Sequence, residues 1–539
     1  MSVNYRGDLI ECKLQSRSRG LYESGTWACE LLITLPSSST TTPSSSATEP
    51  CDDAYELGRM VFDRQEYDRC AYFTKDSQTR EGRFMHYYSR YLSAEKKRLD
   101  SMAEALPPTP MNSNDKITSL FSEMRFEMNN RLINGQLTDG YLLYVYGMTL
   151  LKLDLIEEAI DAFAMSVRFE PLCWASWQQL AQTVDSKTQL DELDLPTHWF
   201  KKFFLAAVYL ELALNEPALN KDAIDIYTSL AEIFKGSCYI RSQLAEAKHN
   251  LKNFDQAIDH FDSIRESDPY RLNSWDIYSH CLFLKGSRSK LSSLAHYANN
   301  IDPFRVETCI CVGNFYALRG QHQKAAQYFS RSLSLNPRHA SSWILMGHEY
   351  MELKNIGGAI MSYRSAIECN KRNYRPWYGL GQAYDILKMP SYSLYYYYMA
   401  RSLLPHDPTM IVAVGETLER LGRHMEAIKC YWKAGGTALT KLAQLYVAKE
   451  EDDKAAASYS DFIEAVERDK NAASYSTEVA NAHKFLAEYH FKRKDYKLAH
   501  HHAQICQNHV ETRDTGKRIM KEISELAKGG MDITFLALQ

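Results

Sequence analysis

A 34-residue period constrains this chain more than any other feature of its 539 residues. Six consecutive stretches align on it, with Arg241, Trp275, Cys309, Trp343, Trp377 and Ile411 at the fourth position. The eighth is always small: Ala245, Ser279, Gly313, Gly347, Gly381, Gly415. The twentieth reads Ala257, Leu291, Ala325, Ala359, Ser393, Ala427, and the twenty-fourth reads Phe261, Ala295, Phe329, Tyr363, Tyr397, Tyr431. Position 32 reads Pro269, Pro303, Pro337, Lys371, Pro405, Leu439. A self-similarity of this length signals a repeat array and decides the fold before any single motif is weighed.

Within one period, positions 4, 7, 8 and 11 share a face of one helix, and 20, 24 and 27 share a face of a second. Small residues at 8 and 20 let the two helices approach, the aromatic at 24 fills the space beside them, and proline near 32 stops the second helix. One such pair leaves an apolar face bare, so pairs must stack and the array must end in atypical caps. The expected fold is all-α, a superhelical solenoid of helix-turn-helix units. It also explains why the chain holds 35 Tyr, 21 Phe and 8 Trp beside only 16 Pro and 24 Gly.

The register extends beyond the six clear units. Leu143, Tyr146, Gly147, Leu150, Ala159, Phe163 and Pro171 make one, and Trp177, Leu180 and Ala181 begin another that residues 185–196 interrupt. A long-looped unit follows with Ala206, Tyr209, Ala223 and Tyr227. Past 434 come Leu442, Ala443, Tyr446, Ala455 and Tyr459, then Leu486, Ala487, Ala499 and Ala503, with 512–526 as a closing helix. Residues 54–75, with Gly58, Val61 and Cys70, make a weaker first unit. Residues 1–35 read as a helical segment, and 36–50 (PSSSTTTPSSSATEP) as a flexible low-complexity linker that buries too little apolar surface to offset its ordering entropy. A second boundary falls at 106–114, where prolines and polar residues stop any helix. The expected division is 51–240 as irregular units that dimerise, 241–510 as the partner-binding array, and 511–539 as closing helix and tail.

Charge is nearly balanced, 63 Lys+Arg against 67 Asp+Glu, which argues against nucleic acid or an anionic membrane as partner. No long uninterrupted apolar run offers a membrane span, and the first residues lack the apolar core of a signal peptide. Twelve scattered cysteines without a CxxC arrangement read as reduced core thiols of the cytosol or nucleus.

Candidate chemistry reduces to packing at most positions. His348-Glu349 resembles the opening of a zinc-protease helix, but the histidine such a motif needs four residues after His348 is Glu352. Successive helical residues point about 100° apart, so His500, His501 and His502 read as a solvated surface rather than a metal site. Cys309 occupies a packing position and cannot share a ligand with Cys311, and Gly379 and Gly381 lack the strand and third glycine of a phosphate loop. In the run 395–398, Tyr397 is a core position, which leaves only its neighbours for a partner. No arrangement recommends an enzyme, and no cofactor is expected. The inner face of the array is different, because positions 2, 5, 9 and 12 of each first helix line it. Glu307, Asn314, Ser341, His348, Arg375, Tyr378, Gln382 and Asp385 fall there, with Glu349 one residue off the stripe. They fit either a solvated groove or a peptide-binding one, in which Asn314 and Gln382 bond a backbone, Tyr378 stacks and Glu349 pairs with an arginine.

By its repeat pattern the chain resembles the tetratricopeptide-repeat proteins. Segments including 66–73 (EYDRCAYF), 305–320 (RVETCICVGNFYALRG), 343–355 (WILMGHEYMELKN), 375–390 (RPWYGLGQAYDILKMP) and 430–434 (CYWKA) resemble, within them, the subunit 8 family of the anaphase-promoting complex. The resemblance implies a non-catalytic scaffold of a multi-subunit E3 ubiquitin ligase, in nucleus and cytoplasm. It implies a homodimer through the amino-terminal repeats, contacts with other tetratricopeptide-repeat subunits, and a groove for a short arginine-containing motif of an activator protein. The competing reading is a freestanding co-chaperone-type adaptor that clamps acidic carboxyl termini. Such a clamp needs Lys and Arg on consecutive inner helices, where this chain places Asn314, His348, Glu349, Gln382 and Asp385.

Overall fold

The structure is a computed structural model that describes residues 5–21, 24, 25, 27, 28, 31, 32, 53–77, 79–104, 115–133, 139–213, 216, 218–436, 438–468, 476–509 and 511–528. The low-complexity stretch 36–50 and the boundary 106–114 lie outside these residues. Among the described residues every regular element is a helix. The chain forms two compact units, residues 1–337 and 338–539.

The first unit opens with helix Tyr5–Ser18. Antiparallel pairs follow: Asp53–Asp63 with Tyr67–Phe73, Arg80–Glu104 with Asp115–Ile133, and Gly140–Lys152 with Ile156–Phe169. Helix Trp174–Thr183 is followed only by the short Lys187–Glu192, at the interruption expected from sequence. Regular pairing resumes with Phe200–Leu212 and Leu219–Ile233, Cys238–Asn250 and Phe254–Ser267, Trp275–Leu284 and Arg288–Ile301, and Val306–Leu318 and His322–Leu335. The second unit stacks Ala340–Glu352 with Ile356–Cys369, Tyr374–Ile386 with Pro390–Leu403, and Pro408–Arg420 with His424–Ala434. Ala438–Ala448 with Asp452–Arg468 and Ser476–Lys492 with Tyr496–Cys506 follow, and Arg513–Lys528 closes the stack. Each unit is therefore a helical solenoid.

One contact recurs inside the pairs. The glycine at position 8 lies directly beneath the ring at position 24, so a methyl group on Gly313 would sit 2.5 Å from Cε1 of Phe329. On Gly347 it would sit 2.5 Å from Cε1 of Tyr363, on Gly415 2.6 Å from Cε1 of Tyr431, and on Gly147 2.6 Å from Cε1 of Phe163. Gly381 approaches Tyr397 in the same way. The alanines at position 20, Ala257, Ala325, Ala359 and Ala427, are fully buried on the other side of the same seam. Successive pairs are then stitched from position 4 back to position 32: the Trp177 indole donates to the Pro171 carbonyl at 2.9 Å and that of Trp377 to the Lys371 carbonyl at 3.2 Å.

The turn inside each pair holds one residue in the left-handed region at position 15. It is glycine at Gly286, Gly320 and Gly422 but lysine at Lys252, Lys354 and Lys388, where φ is 62°, 59° and 58°. A side chain in that region carries a steric cost that glycine avoids.

Two stability outcomes test this packing. Gly347→Leu and Gly381→Leu overpack the seam and are each expected to cost about 1 to 3 kcal/mol or more, whereas Lys354→Gly relieves its turn and should raise the melting temperature. Denaturant and thermal melts read both, and parent-like curves for the leucine variants would place the seam elsewhere.

Candidate functional site

The inner-face residues singled out from sequence divide between the units: Asn314 belongs to the first, and His348, Glu349, Tyr378, Gln382 and Asp385 to the second. In the second unit they come from two neighbouring first helices, Ala340–Glu352 and Tyr374–Ile386. His348 Nδ1 lies 2.8 Å from the Tyr363 hydroxyl, with the rings edge to face at 5.6 Å. Burial, and then the charge of Glu349, raises the Tyr363 pKa well above its ordinary range, so the phenol keeps its proton and donates to Nδ1. That leaves the imidazole proton on Nε2. The His348 side chain is exposed to solvent, although much protein lies around its ring. Burial first, and then the Arg375 charge, pushes its pKa down to about 4, so it is a neutral hydrogen-bond donor at physiological pH.

Glu349 is buried, 7% exposed. On the adjacent helix the Tyr378 ring packs 5.4 Å from that of Tyr397, and its hydroxyl bonds Gln382. Asp385 accepts at Oδ2 both from the Tyr397 hydroxyl at 2.9 Å and from Arg420 Nη2 at 3.1 Å, and Arg420 Nη1 lies 3.0 Å from its other oxygen without a hydrogen bond to it. The next pair repeats the device: the Tyr431 hydroxyl donates to Glu419 at 3.0 Å. A signal for this was present in the sequence. Position 12 is acidic in two of the pairs with tyrosine at position 24 (Asp385 with Tyr397, Glu419 with Tyr431) and apolar in two of those with phenylalanine (Leu151 with Phe163, Ala317 with Phe329), while Phe261 has His249 there. Tyr363 has Met351 at its position 12 and turns to His348 instead.

In the first unit Asn314 is 2% exposed and donates to the Ser279 hydroxyl at 2.8 Å, tying two successive first helices together. Nearby, Glu246 is crowded by Glu211 and Asp276. Burial, followed by these two charges, raises its pKa to about 8. Its inner-face position 9 was passed over in the sequence because one acid in an ordinary helix carries no signal until the neighbouring helices are placed.

The bland readings have locations too. Cys311 and Cys309 are buried and point to different carbonyls, those of Trp275 at 3.2 Å and Pro303 at 4.0 Å. Tyr397 is 3% exposed, while Tyr395 and Tyr398 are 56% and 39% exposed on either side of it. Of the three successive histidines, His502 turns inward, with its Nδ1 2.9 Å from Nδ1 of His483. Among the described residues no group of three His, Cys, Asp or Glu could hold a metal ion, and no helix is long and apolar enough to cross a membrane.

Comparison with known proteins gives consistent matches. A family model described as anaphase promoting complex subunit 8 / Cdc23 matches residues 4–245, and a tetratricopeptide repeat model matches residues 340–373. The cell division cycle protein 23 homolog of Homo sapiens is 42% identical over 302 residues, 54% of this chain and 49% of the relative. The anaphase-promoting complex subunit 8 of Arabidopsis thaliana is 36% identical over 244 residues, 45% of this chain and 41% of the relative. The chain thus spans about half the length of the curated relatives it matches. The crystal structure of the APC/C hetero-tetramer Cut9-Hcn1 covers 96% of this chain and 97% of its own, with a TM-score of 0.56 and 17% identity, a likeness of fold.

The histidines generate a pH prediction. His483 and His502 are both pushed down to about 4, first by burial and then by neighbouring histidines: His501 and His509 act on His483, and His483, His501 and His490 on His502. An imidazole of ordinary pKa, about 6.5, takes up a proton in the unfolded chain before it does in the folded one. Stability is therefore full above about pH 6.5 and is lost as the pH falls toward 4. Melting temperatures between pH 7 and 5 should decline, and His502→Phe should flatten the decline; an unchanged slope in the variant would assign the acid sensitivity to other groups.

Proposed function

Because the chain belongs to the anaphase-promoting complex subunit 8 / Cdc23 family, we propose that it is a non-catalytic scaffold subunit of the anaphase-promoting complex, the multi-subunit E3 ubiquitin ligase controlling mitotic progression. It works in nucleus and cytoplasm, dimerises through the repeats before about residue 240, and contacts other tetratricopeptide-repeat subunits. The observation that carries the reading is the match over residues 4–245, joined to the helix pairs that build both units of the chain.

The finer part of the proposal is a groove that receives a short, extended, arginine-containing motif of an activator. Its support is the polar chemistry of the inner faces. Neutral His348 presents an N–H suited to a peptide carbonyl, and the carboxylate of Glu349 lies beside it in a site of reduced solvation. A clamp for acidic carboxyl termini, the second reading, needs cations on consecutive inner helices, and in the second unit Arg420 is already paired with Asp385. A single such motif binds weakly, and multiple attachments within an assembly strengthen it.

Two measurements test the proposal. Light scattering at micromolar concentration should report a dimer; a monomer would remove the self-association. Fluorescence-polarisation titration of an arginine-containing activator peptide should bind the parent and lose affinity in Gln382→Ala and Glu349→Lys, the latter by about 2 to 5 kcal/mol, the range for removing one member of a buried charged pair. Thermal melts of both variants separate lost binding from lost folding. Equal affinities in all three proteins would move the contact off these residues.

A further inference from the structure

Within each pair, positions 18, 22 and 25 of the second helix point away from the buried stripe of 20, 24 and 27, so they form an outer face. In the pairs of the first unit that end at Ser267, Ile301 and Leu335 this face is polar throughout, from Asp255, Asp259 and Asp262 to Gln323, Gln327 and Ser330. The same positions in the second unit read differently. Helices Ile356–Cys369, Pro390–Leu403 and His424–Ala434 carry Met361, Tyr395, Tyr398, Met425 and Trp432 there, with Arg364 and Lys429 among them and Gly357 and Ser391 at the two places left. Met361, Met425 and Trp432 are 66%, 67% and 74% exposed, so burial within the chain does not account for them. Single exposed apolar side chains are ordinary. Five at equivalent positions of three successive second helices, of the Met, Tyr and Trp types that with Arg concentrate at the centres of protein interfaces, make a surface.

The charge on this surface is one-sided. The three helices hold Arg364, Arg401, Lys429 and Lys433 against two acids, Glu368 and Glu426. Glu426 is already taken, accepting at 2.9, 2.7 and 2.8 Å from the guanidinium of Arg423. Arg364 is held by phenols rather than carboxylates: its Nη2 donates to the Tyr384 hydroxyl at 3.0 Å, and the Tyr384 ring stacks on that of Tyr396 at 5.2 Å with planes 6° apart. Tyr395 stands edge-on to Tyr396, also at 5.2 Å. One aromatic cluster thus fixes an exposed ring and orients a cation that no acid neutralises.

We propose that this outer face docks a segment of another protein rich in acidic and large apolar side chains, its apolar groups on Tyr395, Tyr398 and Trp432 and its carboxylates on Arg364 and Lys429. The exposed rings call for the apolar part and the excess of cations for the acidic part. A second copy of this chain fits poorly, because a two-fold contact through this face would set cations against cations. The surface is separate from the inner groove, which belongs to the first helices, so the two readings stand or fall independently.

The test places the photo-cross-linker p-benzoylphenylalanine in the full chain, in the cells that make it, at Tyr395 or at Trp432, with Gln327 of the polar outer face as control. Both test positions should cross-link to one segment of a different protein, at about ten-fold or more the yield of the control. Mass spectrometry should show that segment to be net acidic and to carry large apolar side chains. Arg364→Glu combined with Lys429→Glu should lower the yield about ten-fold; both residues are exposed, so the melting temperature should stay at that of the parent. Trp432→Ser, which changes no charge, should lower the yield from position 395 as well. The proposal is overturned if positions 395 and 432 cross-link no better than 327, or if they capture a second copy of this chain or a segment without net negative charge. It is equally overturned if the charge-reversed chain keeps the parent yield.

Discussion

The approach of a position-8 glycine to the position-24 ring sets the distance between the two helices of a pair, and most of the remaining geometry inherits that distance. With the Tyr363 ring lying on Gly347, the first helix sits so close to the second that the ring's hydroxyl emerges at the inner face rather than ending in the core. The tyrosine variant of position 24 thereby serves two purposes. Its ring contributes burial, each such side chain removing roughly 150–250 Å² from contact with other surroundings, and its hydroxyl fixes an inner-face side chain from below. Asp385, Glu419 and His348 are all held this way. Packing and the chemistry of the inner face are one structural decision.

That coupling explains what was legible in the sequence. The helix pairs, the interruption after residue 184 and the closing helix follow from spacing alone, because burial in a solenoid is periodic and composition records the period. The turn conformation at position 15 was half legible: Gly286, Gly320 and Gly422 announce it, but Lys252, Lys354 and Lys388 adopt it because the pairs on either side fix the chain direction whatever residue stands there. For the inner face, the sequence named the stripe without naming its bonds. Asp385 reads from sequence as an available carboxylate; in the fold its oxygens already meet Tyr397 and Arg420, the latter from the next pair. Glu246 was invisible because its character comes from Glu211 and Asp276, which stand 35 and 30 residues away and converge only once helices are stacked.

The electrostatics of the two units differ in a way that bears on partners. In the second unit Asp385 is paired with Arg420 and Glu416 with Lys441, while the Arg375 charge bears on His348. The imidazole of His348 stays neutral because burial and Arg375 both oppose its charge. A site of this kind selects by hydrogen-bond geometry more than by net attraction, since rearranging matched pairs costs as much as a new pair returns. In the first unit Glu246 holds its proton to higher pH, first because it is buried and then because Glu211 and Asp276 lie near it.

The N-terminal segment bears on how a solenoid of local contacts gains long-range order. Each pair in the first unit is held by its neighbours alone, and a stack of such pairs distributes any strain as small rotations between them. The segment adds contacts that skip along the stack: Asp8 to Trp199 spans 191 positions in sequence, and Gln15 to Tyr141 spans 126. Fastening Trp27 to Trp174 and the helix end to Tyr55 and Arg59 joins pairs that otherwise meet only through intermediates. A strap along an inner face restricts the rotations between the pairs it joins, and it does so at the expense of the surface it covers. Bracing of the first unit and coverage of its inner face are consequently one feature, because the residues that join distant pairs are the residues that lie on that face.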